Sequence, residues 1–328
     1  MKSWWKVAIG VSCLALICGT AILWRVHKQK AIEQKKVAEV ISAYRARAEE
    51  GDAGAQYRLA YMYHEGEGVP RNYGEAVRWA RKAADQGHAK AQSVLGYAYS
   101  NGEGVPRDDA EAVRWYRKAA EQGYPLAQQG LAYMYAHGEG VQQDNTQAVV
   151  WYRKAAGQGD AVAQQSLGYM CANGRGVPQN QAEALRWYTN AADQGNASAQ
   201  YSLGIMYYYG QGVPKNYAET VRWYTKAAER GHVEAQFQLG EMYYHGRGVL
   251  QDYAEAVRWY RKAADQGYAI AQYDLGNMYD QGKGVPQNYG EARRWYRKAA
   301  DQGYTNAQRA LSALDRQQRR EYETAPLR

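Results

Sequence analysis

Residues 52–87 read DAGAQYRLAYMYHEGEGVPRNYGEAVRWARKAADQG, and six close variants of that string follow without a gap up to Gly303. Trp79, Trp115, Trp151, Trp187, Trp223, Trp259 and Trp295 stand 36 residues apart, as do the glycines from Gly51 through Gly87 to Gly303. Strict self-similarity at this period means stacked supersecondary units, each completing the core of its neighbours. Within the first unit, Ala55, Leu59, Met62 and Tyr63 recur at helical spacing and define a helix A with one apolar face. Gly66-Glu67-Gly68-Val69-Pro70, kept as Gly-x-Gly-Val-Pro in five of the seven units, then breaks the helix, because paired glycines permit positive φ and proline blocks continuation.

A second helix, helix B, opens at an Asn or Asp in every unit: Asn72, Asp108, Asp144, Asn180, Asn216, Asp252 and Asn288. Each can cap free backbone N–H groups. Glu75 and its equivalents, with Gln147 as the single variant, follow three residues later, which predicts the reciprocal arm of a capping box. Ala83-Ala84-x-Gln86-Gly87 ends the helix with glycine at the C′ position. Small residues at 55, 60, 83 and 84 allow close stacking, with Leu59 and Trp79 filling the space between. The tryptophan series reads as core.

The repeat motif Ala-x-x-x-Leu-Gly-x-Met-Tyr-x-x-Gly-x-Gly-Val-Pro-x-Asn-Tyr-x-Glu-Ala-x-x-Trp-Tyr-x-Lys-Ala-Ala resembles the Sel-one-like repeat (SLR), a relative of the tetratricopeptide repeat. The resemblance covers about 250 residues of the chain. It implies an α/α superhelical solenoid and an adaptor role in protein complexes. A disulfide-rich branch linked to β-lactam binding carries paired cysteines in each repeat, and this chain lacks them. Cys171, the one cysteine of the repeat body, replaces a tyrosine found in every other unit, which predicts a core substitution.

The chain carries a net charge of +8, but location matters more than total. Residues 1–50 hold nine Lys/Arg against four Asp/Glu, and residues 304–328 hold five against three. The body at 51–303 is left with a net of +1. Clustered phosphate neutralisation is therefore not expected, and no nucleic-acid partner is inferred. Val7 to Trp24 is uncharged over 18 residues and, extended back to Trp4, predicts a single membrane-crossing helix over 4–24 with Trp4, Trp5 and Trp24 at its ends. A cleaved signal peptide is the competing reading, although no small-x-small cleavage site follows the apolar run. The basic residues after the span favour a cytoplasmic body and signal-anchor logic the reverse; the reading is a single-pass cell-membrane protein whose body's side stays open, leaning to the periplasmic or extracytoplasmic side.

The expected organisation is an N-terminal anchor over 1–24, a charged helical stalk and cap helix over 25–50, seven repeats over 51–303, and a C-terminal cap helix and tail over 304–328. The fold class is all-α: a repeat solenoid behind a transmembrane helix. The histidines include no His-x-x-x-His pair, and the Gly-x-Gly segments follow a helix and lack a phosphate-loop Lys-Ser/Thr. No catalytic residue, metal or cofactor is expected.

Positions 54, 58, 61 and 65 vary most between units and follow i, i+4, i+7, i+11, so they share the helix A face opposite the packed one. By analogy with tetratricopeptide stacking that face lines a concave groove. Its candidates for partner binding are Arg58, Tyr61, Tyr97, Tyr133, Tyr169, Tyr208, Gln238, Glu241, Tyr244, Asp274 and Asn277. Tyr and Arg supply interface area at limited entropic cost. The expected function is a membrane-anchored protein-interaction scaffold whose partner is a protein. The alternative is a cell-envelope glycan-binding solenoid, and a hydrolase or β-lactam-binding enzyme ranks below both.

Overall fold

A computed structural model describes residues 36–324, with side chains to residue 316. All the regular structure among the described residues is helical. The chain divides into two compact units at Asp144/Asn145. The first contains α1, described over 36–49, then α2 (Ala53–Glu65), α3 (Tyr73–Asp85), α4 (Ala89–Asn101), α5 (Asp109–Glu121) and α6 (Pro125–His137). The second contains α7 (Asn145–Gly157), α8 (Ala161–Asn173), α9 (Gln181–Asp193), α10 (Ala197–Tyr209), α11 (Tyr217–Glu229), α12 (Val233–His245), α13 (Tyr253–Asp265), α14 (Ala269–Gln281), α15 (Tyr289–Asp301) and α16 (Thr305–Thr324). Even-numbered helices from α2 onward are the A helices; odd ones from α3 are the B helices. Consecutive helices within each unit pack on one another, as a solenoid requires. Among the described residues no helix is long and apolar enough to cross a membrane; the expected span over 4–24 lies outside them.

Each repeat is held by the same few devices. Leu59, Leu95, Leu131, Leu167, Leu203, Leu239 and Leu275 are fully buried, each worth roughly 1.5–3 kcal/mol relative to exposure. Trp79, Trp115, Trp223, Trp259 and Trp295 are buried with them, whereas Trp151 and Trp187 are half-buried. In six repeats a lysine three residues on, such as Lys118 at 4.1 Å from the Trp115 ring, lies over the indole, but repeat four has Asn190 there and leaves Trp187 without that cover.

The N-cap carboxamide or carboxylate of α3, α5, α9, α11, α13 and α15 accepts from the backbone N–H three residues on, at 3.1 Å for Asn72 and 3.0 Å for Asp108. Among the described residues the N-cap N–H does not bond the reciprocal arm of a capping box. The N–H of Asn72 is already donated to the Tyr63 carbonyl at 2.9 Å, closing the inter-helix turn, and the same bond recurs from Asp108 to Tyr99. Glu75 is thereby left to pair with Arg78 at 2.7 Å, as Glu111 does with Arg114 at 2.6 Å. The second glycine of the turn is fixed by contact as well as by φ: at Gly104, φ +73°, an added Cβ would stand 2.3 Å from the Tyr73 carbonyl oxygen of the preceding B helix.

Two further devices escape a reading of the motif. Gln56, buried on α2, donates to the Ala48 carbonyl at 2.9 Å and accepts from Gln86 at 2.8 Å. Gln92 repeats this with Ala84 and Gln122, and Gln272 with Ala264 and Gln302, so a buried carboxamide adds a second bond to a last-turn carbonyl of the preceding helix that already accepts from the N–H of Gly87 or Gly267. An arginine on one B helix then donates to the tyrosine hydroxyl 18 residues later, from Arg45 to Tyr63 and from Arg117 to Tyr135, both at 2.8 Å. Arg81 makes the same bond to Tyr99. Cys171 occupies that tyrosine position fully buried, as expected of a core substitution; burial, with the Glu183 charge, pushes its thiol up to about 11.

The ends are capped. Val37 and Ile41 of α1 lie against Gly68, and Tyr44 and Ala48 join the first core. Ala307 and Leu314 of α16 close the last one, with Arg293 bound to Asp315 at 2.8 Å. Arg316 is exposed, as a terminal cap requires.

Candidate protein-binding groove

In the first unit the A helices present Tyr61, Tyr97 and Tyr133 to solvent, each 40–47% exposed. Packing on the buried face fixes their direction: with Leu59 and Met62 turned inward, position 61 must face out. Two hollows flank Tyr97. One, of about 320 Å³, is bounded by Tyr61, Tyr97, Val94 and Leu126; the other, of about 400 Å³, by Tyr97, Tyr133, Asn101 and Arg107. Tyr116 and Gln129 contribute to both.

Tyr116 comes from helix B, and the sequence reading missed it. Its ring reaches the A-helix face because Gly96 and Gly130 leave room: a Cβ at either would stand 2.6 or 2.9 Å from the ring. The signal was present, since repeat one pairs Ala60 with Ala80 whereas repeats two and four to seven pair a glycine with a tyrosine. Burial pushes the Tyr116 hydroxyl up to about 12, so it remains a neutral donor. Around the groove, Arg58 lies over the Tyr61 ring at 5.3 Å while pairing with Glu67 at 2.7 Å. Arg107 is held by Asp109 at 2.9 Å, and His137 stacks on Tyr133 with 4.0 Å between centroids.

In the second unit Tyr169 is exposed, with Arg175 over its ring at 5.2 Å. The equivalent positions in later repeats are half-buried: Ile205, Glu241 and Asn277. Here the helix B tyrosines turn their hydroxyls into a polar network. Tyr260 donates to Glu241, Tyr296 donates to Asn277 Oδ1 at 2.8 Å, and Asn277 donates to Asp274 at 3.3 Å. Burial first and the Glu241 charge second push Asp274 up to about 7. Tyr244 accepts from Lys283 at 3.1 Å and Tyr208 from Arg247 at 2.5 Å, each clasp joining an A helix to the turn of the following repeat. Gln238 is half-buried on α12. The candidates therefore fall into two sets: Arg58, Tyr61, Tyr97 and Tyr133 around open hollows, and Glu241, Asp274 and Asn277 in a network, with Tyr208 and Tyr244 in clasps. Among the described residues no cluster of His, Cys, Asp and Glu could hold a metal ion.

Comparison with known proteins fits this architecture. The Sel1 repeat matches at residues 53–88, 89–124, 125–160, 161–196, 197–232, 233–268 and 269–304. A crystal structure of a protective antigen present in uropathogenic Escherichia coli strains, displaying an SLR fold, shares 43% identity at a TM-score of 0.78 over 84% of this chain; the chain spans only 59% of that protein's length. A Sel1 repeat protein from Oxalobacter formigenes shares 39% identity at a TM-score of 0.71, covering 86% of this chain and 81% of the other. No curated protein matches the chain. Sel1 repeat proteins are in general non-catalytic scaffolds for protein–protein interaction. With seven contiguous matches and a solenoid of paired helices built on one repeated core, the chain belongs to the Sel1 repeat family.

Proposed function

We propose that this chain is a non-enzymatic scaffold that is tethered to a membrane by residues 4–24, through the stalk at 25–50, and binds a partner protein on the helix A face of its repeats. The observation that carries the reading is the row of exposed tyrosines at position 61, set beside two hollows where packing does not require them. Large amphipathic rings left open around a concavity are what a recognition surface needs and a self-contained core does not. An extracytoplasmic body remains part of the proposal, and a reporter fused after Arg328 tests it.

The test is affinity capture from solubilised membranes with the intact protein and with a Tyr61→Ala, Tyr97→Ala, Tyr133→Ala, Tyr169→Ala variant shown to be folded. A protein held by the first and lost by the second is the expected result. Exposed tyrosine rings also suit stacking on sugars, which keeps an envelope glycan as the second reading. Saturable binding of purified glycan fragments by the intact protein alone, with no protein captured, would replace the scaffold reading by that one.

A further inference from the structure

The hollow between Tyr61 and Tyr97 is apolar at its centre and charged at its rims. Tyr61, Tyr97 and Leu126 converge on it while all three remain at least 40% exposed. Lys90, in the first turn of α4, lines it and has no ion-pair partner among the described residues. Elsewhere on the lining, Glu65 lies 2.8 Å from His64 Nδ1, and His64 Nε2 lies 3.1 Å from Glu103, which stands behind the lining. One imidazole shared by two carboxylates leaves at least one negative charge uncompensated whatever the protonation of the ring. Gln129 also lines it, with a carboxamide that no other described group engages and that offers a donor and an acceptor together.

We propose that this hollow receives an extended segment of a partner protein in which one apolar side chain is flanked by an acidic residue on one side and a basic residue on the other. The apolar side chain fills the space between Tyr61, Tyr97 and Leu126. The acidic residue pairs with Lys90, the basic one with the Glu65 carboxylate, and the Gln129 carboxamide takes up the main-chain amide of the apolar residue. A neutral sugar would stack on the same rings but leave both charged rims unanswered, which favours a peptide. Rim charges of this kind set register and discriminate among partners more than they add affinity. The inference rests on the protein-binding reading and specifies its partner.

Random linear dodecapeptides displayed on phage, selected on the immobilised full-length protein in detergent, provide the test. Enriched peptides are expected to carry an apolar residue between an acidic and a basic one. Lys90→Glu, a change at an exposed position in a helix first turn where an acidic residue is well tolerated, is expected to reduce retention of those peptides about tenfold and to enrich a basic residue in place of the acidic one in a fresh selection. Unchanged melting confirms that the variant is folded. Enriched peptides without this charge order, or with retention indifferent to Lys90→Glu, overturn the inference and leave the scaffold reading standing. No enrichment of any peptide, with glycan fragments bound instead, overturns both.

Discussion

The A-helix face of the first unit and that of the last two repeats start from the same backbone and end in opposite states. At position 61 the first unit places tyrosines that stand free beside hollows, whereas repeats six and seven place Glu241 and Asn277, half-buried and bound by the Tyr260 and Tyr296 hydroxyls. The helix B tyrosine is common to both regions, lying flat on a glycine at Gly96 as at Gly240 and Gly276. What differs is whether the neighbour at position 61 can accept its hydroxyl. A carboxylate or amide oxygen does so and closes the surface into a network; a phenol ring leaves it open. In repeats two, six and seven the residue at position 61 thus decides whether the face is available to a partner or is spent on internal hydrogen bonds.

The largest expected effect separates the repeats by their tryptophans. Trp259→Ala, at 4% exposure and under Lys262, is expected to cost about 3–5 kcal/mol, and Trp187→Ala, half-exposed and without a lysine cover, roughly half of that; urea unfolding followed by circular dichroism compares them. Equal losses would mean that repeat four packs as tightly as repeat six.

Asp274 gives the next test. Its pKa is raised in the folded state, so between about pH 4 and 7 the folded chain holds a proton that the unfolded chain has lost, and stability must fall as pH rises through that window. Asp274→Asn is expected to remove this dependence and to gain about 1–2 kcal/mol at pH 8, read as midpoint against pH. A flat wild-type profile over the window would show that the carboxylate is not held in the network.

A smaller gain is expected where the glutamine ladder is broken. Arg230 stands where other repeats have glutamine, and the Gln200 Oε1 it should serve is buried without a partner. Arg230→Gln is expected to stabilise the second unit by about 1 kcal/mol. No gain in thermal midpoint would mean that the ladder contributes geometry but little energy. The smallest effect is expected at the open face: Tyr97→Ala should change stability by no more than about 0.5 kcal/mol, since the residue is 47% exposed. A loss as large as that of Trp259→Ala would make position 61 structural and remove the contrast between the two regions.

The sequence by itself determined the period, the two helices of each unit, their caps and turns, the packed and open faces of helix A, and the terminal capping. These are legible because each is fixed by residues within a turn or two of one another and is repeated seven times, so variation between repeats separates packing from surface. Only the tertiary structure decided the rest: that the N-cap N–H is spent on the tyrosine carbonyl of helix A and frees Glu75, that Arg81 clasps Tyr99, that Gln56 and its equivalents form a buried ladder, and that position 61 is open in one region and networked in another. Those contacts join residues 8 to 30 positions apart across neighbouring helices. A polar side chain that finds such a partner and one that meets only water have the same letter in the sequence, and the difference arises when the helices pack.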